Sequence, residues 1–337
     1  MTGSNQMFAG SADLGRVLTS LPMTCLDVGA RLGFTEDLLP LAPMVDAVGF
    51  EPDVEECERL NAQASTGGHP WRSLRYLSTA LGPAGQNQVL NLYRQRGCSS
   101  LLTADKPLAD RFSRGDYFEL DATVPLATQP LDDVAQDHDF ANAVFLKIDV
   151  QGFEAEVFKS GAQLLGGSLL AIRAEVSFIP IYQGQPLFGD IAEHLRQYNF
   201  IPMGFEELHH WRRSTKVKHP RLAPGPTPYS RGQMIHGDVV FFRDPETMAD
   251  NSPDEIDAML KSAFLALAYE YVDHAAAIFS RPNVARALTE RFGIDPETAI
   301  SDVSQNMARR AAARGRISRW QDLRGRVKDR IGNLGAT

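Results

Sequence analysis

An α/β fold on a mostly parallel sheet, covered by helices on both faces, is predicted by three observations. Short apolar segments alternate with helical patterns up to about residue 245, two of those segments run into glycine turns, and helical patterns alone follow Pro245. Parallel neighbours need crossover connections, so strands separated by helices read as one sheet with helices packed on it.

The elements follow in order. Thr24 to Val28 is a strand stopped by Gly29, and Arg31 to Leu39 is expected to form a helix that Pro40 and Pro43 break. Val45 to Phe50 is the second strand, after which Asp53 caps an acidic helix running to about Ala64. Leu74 to Thr79 is the third, and Val89 to Tyr93 either extends the sheet or forms a hairpin. Arg94 to Gly115 has no stable period and is read as a long loop near the ligand cleft. Tyr117 to Val124 is a strand, Leu131 to Val134 starts a helix, and Ala143 to Val150 is a buried strand turned by Gly152 and Phe153 into a helix from Glu154. Leu169 to Val176, Phe200 to Met203 and Asp238 to Phe242 complete the strands, with a helix over Phe188 to Tyr198. Arg212 to Arg231, with four prolines, is an irregular insertion. Residues 250–337 read as a helical accessory region whose apolar stripes, with Phe264, Leu265, Leu267, Tyr271, Ile278 and Phe279, need a partner surface. Self-association through 250–337 is the expectation, with a cover over the cleft as the alternative.

With 337 residues, 43% of them hydrophobic, the chain can bury a large core. The net charge of -8 disfavours a broad nucleic-acid surface, which needs a concentrated basic patch. The exception is the arginine-rich stretch from Arg309 to Arg330, read as a solvated helix or a dock onto the acidic main domain, with a polyanion or membrane contact as the alternative. Three cysteines without paired spacing suggest neither a disulfide framework nor zinc. Glu270, Asp273 and His274 interrupt the most apolar helical stretch, so no transmembrane segment is expected. With no secretory signal recognised, a cytoplasmic location is expected.

Two segments carry candidate chemistry. In the first, Asp27, Val28, Gly29 and Ala30 end a strand where glycine admits a ligand close to the backbone, and Glu51, after the next strand, can take both hydroxyls of a ribose. A nicotinamide dinucleotide also sits over such a turn, but its pyrophosphate prefers three glycines and is repelled by nearby carboxylates. S-adenosylmethionine has an ammonium, a sulfonium and no pyrophosphate, so Asp27 suits it better. In the second segment, Asp149 reaches the carboxyl edge of the sheet, with Glu175 ending the next strand on the same side. Lys147 and Glu154 are read as a possible ion pair ordering the turn. His236, His209 and His210 are read as structural or exposed, and no histidine is identified as a base. No ligand set defines a metal site.

DVGARLG at 27–33, GFEP at 49–52 and FLKIDVQGFEAEVFKSG at 145–161 resemble the FkbM family of S-adenosylmethionine-dependent methyltransferases. Gly97 to Leu101 resembles its serine-rich loop, and the similarity covers about 11–245. The resemblance implies a class I (Rossmann-like) methyltransferase fold with a seven-stranded sheet, and O-methylation of a sugar, glycan or natural-product hydroxyl. It implies that Asp27 and Gly29, with Ala30, line the cofactor pocket, that Glu51 with Pro52 binds the ribose, and that Asp149 lies near the methionine end or the acceptor; Glu175, from its place at the strand end, is read as orienting an acceptor hydroxyl or capping local backbone groups. Arg31 stands where the family commonly has asparagine, and Gln151 replaces the glutamate of its central motif. A noncatalytic cofactor- or partner-binding module and an NAD-dependent oxidoreductase are the alternative readings.

Overall fold

The computed structural model describes residues 17, 19–84, 87–215, 231–309 and 312. Seven strands form the main sheet: β1 (Met23–Val28), β2 (Val45–Phe50), β3 (Ser73–Leu77), β7 (Phe145–Ile148), β8 (Ala171–Ser177), β9 (Phe200–Trp211) and β10 (Gln233–Arg243), in the order β3-β2-β1-β7-β8-β10-β9. β10 runs antiparallel to both neighbours, and the other pairs are parallel. This is the seven-stranded, mostly parallel class I architecture that the resemblance implies. A smaller sheet joins β4 (Ala80–Leu81), β5 (Asn87–Tyr93) and β6 (Leu120–Gln129).

Strand alternation divides the apolar residues between two faces. On one face Cys25, Phe145, Ala171, Val240 and Phe242 pack with the helices Val54–Ser65, Pro253–Ala268, Val272–Phe279 and Pro282–Phe292. On the other, Leu26, Leu146, Ile148, Ile172 and Phe241 pack with Leu131–Asp137, Glu154–Lys159, Ala162–Gly166 and Phe188–Arg196. The helix from Pro253 starts with a reciprocal cap: the Glu255 amide donates to Ser252 Oγ at 3.3 Å and the Ser252 amide to Glu255 Oε2 at 3.0 Å. Met259, Phe264, Leu265, Leu267, Ile278 and Phe279 are at most 1% exposed in the same core as the sheet. The apolar stripes expected to need a second copy are thus covered largely by this chain's own sheet.

Several local expectations are corrected. Arg31 to Leu39 is not an α-helix; a tight loop precedes a 3-10 helix, Glu36–Met44, that contains both prolines. Of the two readings of Val89–Tyr93, extension of the main sheet does not hold: the segment pairs antiparallel with β6 in the smaller, mixed sheet, and Tyr117 lies in a 3-10 turn before β6. β9 runs eight residues beyond Met203, because antiparallel pairing to β10 supplies backbone partners that a polar, half-exposed edge sequence does not advertise. Most of the proline-rich insertion, residues 216–230, and the basic tail beyond Arg309 (save 312) lie outside the described residues. No helix among the described residues is long and apolar enough to cross a membrane.

Candidate active site

The strand order reverses at β1, which lies between β2 and β7, and ligands of open α/β sheets bind at the carboxyl edge of such a point. The loop leaving β1 is tied to its neighbours: the Gly29 and Ala30 amides both donate to the Phe50 carbonyl, at 3.1 and 3.0 Å, and the Phe34 amide donates to the Tyr76 hydroxyl at 3.0 Å. Gly29 has φ +89°, and a Cβ there would overlap the Asp149 carbonyl oxygen. Only glycine meets both demands.

Asp27 is 1% exposed and is engaged by the protein itself. Its Oδ2 accepts the Thr35 amide at 2.8 Å, and Oδ1 lies 3.3 Å from Lys147 Nζ, close enough for an ion pair but without hydrogen-bond geometry. Burial raises its pKa, opposed by Lys147 and the Thr35 amide. Its charge therefore shapes the loop before it meets any ligand. Lys147 thus pairs with Asp27, not with Glu154 as expected, because side chains alternate along β7 and Lys147 faces Asp27 in register. Glu51, 5% exposed, accepts the Asp53 amide through Oε1 at 2.9 Å, with Pro52 half-buried beside it. Burial raises the Glu51 pKa.

From Lys147 a charged row crosses the sheet. Lys147 registers with Arg173 on β8, which binds Asp37 and Asp238, and the Tyr269 hydroxyl donates to the same Asp37 oxygen at 2.9 Å. The helices after residue 250 are thereby fastened to the first residues of the 3-10 helix Glu36–Met44.

Asp149 and Glu175 are brought together by a residue between them. Gln151 Nε2 donates to Asp149 Oδ1 and to Glu175 Oε2, both at 2.8 Å, which uses both amide hydrogens. Its Oε1 lies 3.0 Å from the Tyr182 hydroxyl, which is also 2.7 Å from the Cys98 carbonyl. The backbone of Gln151 is left-handed, φ +54°, and its carbonyl accepts Ser100 Oγ at 2.6 Å, so the serine-rich loop holds this turn. Glu154 holds the other side, its Oε1 accepting the Val150 and Gly152 amides at 3.0 and 3.1 Å. The carboxylates of Asp149, Glu154 and Glu175 converge within 4.8 Å of one another. Burial, then crowding, shows in the protonation of Glu154 and Glu175. Burial pushes Glu154 up to about 7, and burial followed by Asp149, Glu154 and Asp238 holds Glu175 well above the usual carboxylate range.

His236 completes the cluster: its Nδ1 lies 3.0 Å from Glu175 Oε1, and its ring stacks on His209 at 4.4 Å between centroids. Burial, then His209, pushes its pKa down to about 4. Expected from the sequence to be structural or exposed, this histidine is set by the structure against Glu175, two residues from Asp238 on the same face of β10. Tyr182 comes from an irregular segment with no periodic signal.

The methyltransferase FkbM domain family matches residues 27–202. No curated protein matches the chain in sequence. Among solved structures, a methyltransferase FkbM from Methylobacillus flagellatus KT is 12% identical with a TM-score of 0.35, over 66% of this chain and 43% of that one. The Streptococcus pneumoniae protein Sp1610, a candidate tRNA (m1A22) methyltransferase, is 12% identical with a TM-score of 0.32, over 88% and 98%. The 23S rRNA methyltransferase ErmE is 12% identical with a TM-score of 0.29, over 84% and 98%. These scores are low, and the assignment rests on the domain match, which favours methyl transfer over the nicotinamide alternative. The chain belongs to the FkbM family of S-adenosylmethionine-dependent methyltransferases.

Proposed function

We propose that the protein transfers the methyl group of S-adenosylmethionine to a hydroxyl of a small-molecule or glycan acceptor. In this reading the Gly29 and Ala30 turn borders the cofactor, Glu51 takes the ribose with Pro52 beside it, and Asp27 with Lys147 holds the loop in shape. Asp149 and Glu175 face the acceptor. The observation that carries it is the convergence of hydrogen-bond acceptors, Asp149, Glu175 and His236, beyond the switch point where the cofactor belongs. Such a lining suits an O–H group and opposes a phosphate backbone, which three nearby carboxylates would repel.

The test has two arms. Calorimetry with S-adenosylmethionine, S-adenosylhomocysteine and NAD should show binding of the two sulfur ligands. Incubation with methyl-labelled donor and fractionated extract should label a small molecule or glycan as an alkali-stable ether. Label in the RNA fraction, or on nitrogen, would overturn the acceptor class; cofactor binding with every fraction unlabelled would point to a noncatalytic module.

A further inference from the structure

We propose that His236 is the catalytic base of this site, accepting the proton of the methyl-accepting hydroxyl at Nε2, and that Glu175 is the positioning residue behind it. The inference rests on the hydroxyl-acceptor reading above. The geometry gives each atom a direction. Both Gln151 amide hydrogens point to carboxylates, one of them to Glu175 Oε2, so Glu175 presents its other oxygen, Oε1, to His236 Nδ1 at 3.0 Å. An ionised Glu175 accepts a proton from Nδ1, which leaves the lone pair of the neutral ring on Nε2.

Methyl transfer then balances as follows. An acceptor oxygen lone pair forms the new C–O bond, the C–S bond breaks with its electrons going to sulfur, and the acceptor proton passes to Nε2. The Nδ1 proton moves to Glu175 Oε1, leaving a neutral imidazole and a neutral carboxylic acid. The surroundings favour that neutral product pair over an imidazolium. His209 stacks on the His236 ring from β9, Trp211 meets its edge, and Asp149, Glu154 and Asp238 raise the proton affinity of Glu175 from the other side. Tyr182 and the partly buried Cys98 stand near that carboxyl and are held in their neutral forms by burial.

The isosteric variant Glu175→Gln inverts the hydrogen-bond direction. Gln151 still needs an acceptor, so the new amide turns its oxygen to Gln151 and its nitrogen to His236 Nδ1. That forces the proton onto Nε2 and removes the base. The experiment is imidazole nitrogen NMR on the full chain bound to S-adenosylhomocysteine, from pH 5 to 9, with His236 assigned by its loss in His236→Asn. Wild type should carry its proton on Nδ1 at high pH and move to Nε2–H as pH falls, without an imidazolium plateau. Glu175→Gln should be Nε2–H throughout, with S-adenosylhomocysteine affinity within about twofold of wild type. With an acceptor from the labelling screen its kcat should fall about 100-fold or more, KM changing little. Wild-type His236 held as Nε2–H at every pH, or an unchanged tautomer in a folded Glu175→Gln, overturns the assignment. The wild-type titration decides it even if the variant does not fold. Failure of wild type to bind S-adenosylhomocysteine defeats the methyltransferase reading instead, by a separate measurement.

Discussion

Gly29 lies directly against the Asp149 carbonyl, where the turns after β1 and β7 meet; the Asp149 amide donates to the Val28 carbonyl at 2.9 Å, and no side-chain carbon fits at residue 29. The two turns, proposed above to border the cofactor and the acceptor, are therefore one packed unit. Gly29→Ala adds strain at φ +89° to overlap with backbone that cannot move independently. It should cost about 2 to 4 kcal/mol in urea denaturation and abolish measurable S-adenosylhomocysteine binding. A variant with wild-type stability and affinity would show that the turns are not coupled.

Glu51→Ala tests the proposed ribose contact. Glu51 Oε1 is occupied by the Asp53 amide, which fixes the carboxylate beside the end of β2. Loss of a charged hydrogen-bond acceptor should weaken S-adenosylmethionine binding about 10- to 100-fold by calorimetry. The far-ultraviolet spectrum should be unchanged, and unchanged affinity would remove Glu51 from the pocket.

Gln151→Glu restores the residue common in the family and should be destabilising here. It exchanges two donor hydrogens for a third carboxylate beside Asp149 and Glu175. Like charges raise the folded-state pKa of residue 151 above its unfolded value. Relative to wild type, stability is then best below about pH 4 and falls as pH rises through the raised value. A deficit of about 2 to 4 kcal/mol at pH 8, shrinking toward pH 5, is expected from denaturation at several pH values. A pH-independent difference would count against charge as the cause.

Glu154 has the same sign from a different cause. Burial raises its pKa from 4.5 to about 7, so the protonated form is favoured by the folded state. Its contribution is fully present below the unfolded pKa and is lost as pH rises through the folded one. Glu154→Gln keeps an acceptor for the Val150 and Gly152 amides and removes this titration. Denaturation midpoints of wild type and variant should diverge between pH 5 and 8, the variant gaining up to about 3 kcal/mol.

The strands around the site were legible because their carriers are local: apolar runs ending in Gly29, Glu51 and Gly152 mark strand ends whatever packs on them. The 3-10 helix over Glu36–Met44 was not, since its prolines forbid an α-helix without saying what replaces it. Partners across the sheet were hidden for a different reason. Lys147 meets Asp27 rather than Glu154 through register between strands distant in sequence, and His236, opposite Ser177, meets Glu175 diagonally across the β8–β10 pair. Period-two alternation gives the face of each residue but not its neighbour. The role of Gln151 depends on Tyr182 and Ser100, which arrive from irregular segments.

The last prediction concerns the helices after residue 250. Their apolar residues Met259, Phe264, Leu267, Ile278 and Phe279 share one core with Phe145, Val240 and Phe242 of the sheet, and Tyr269 stacks on Phe145 at 6.1 Å. Removing residues 250–337 would bare the part of that face around Phe145, Val240 and Phe242, leaving Val54–Ser65 over the rest. Each large side chain left without cover forfeits about 1.5 to 3 kcal/mol, so the loss of several exceeds the 5 to 15 kcal/mol that ordinarily stabilises a domain. The truncated chain should lack a cooperative thermal transition and aggregate, as measured by calorimetry and light scattering. The smaller variant Tyr269→Phe separates packing from the link to Asp37 and the loop proposed to border the cofactor. It keeps the ring against Phe145 but removes the donor to Asp37. It should lower stability by about 1 kcal/mol and weaken S-adenosylhomocysteine binding severalfold. A folded, cofactor-binding truncation would show instead that the sheet does not depend on these helices for its core.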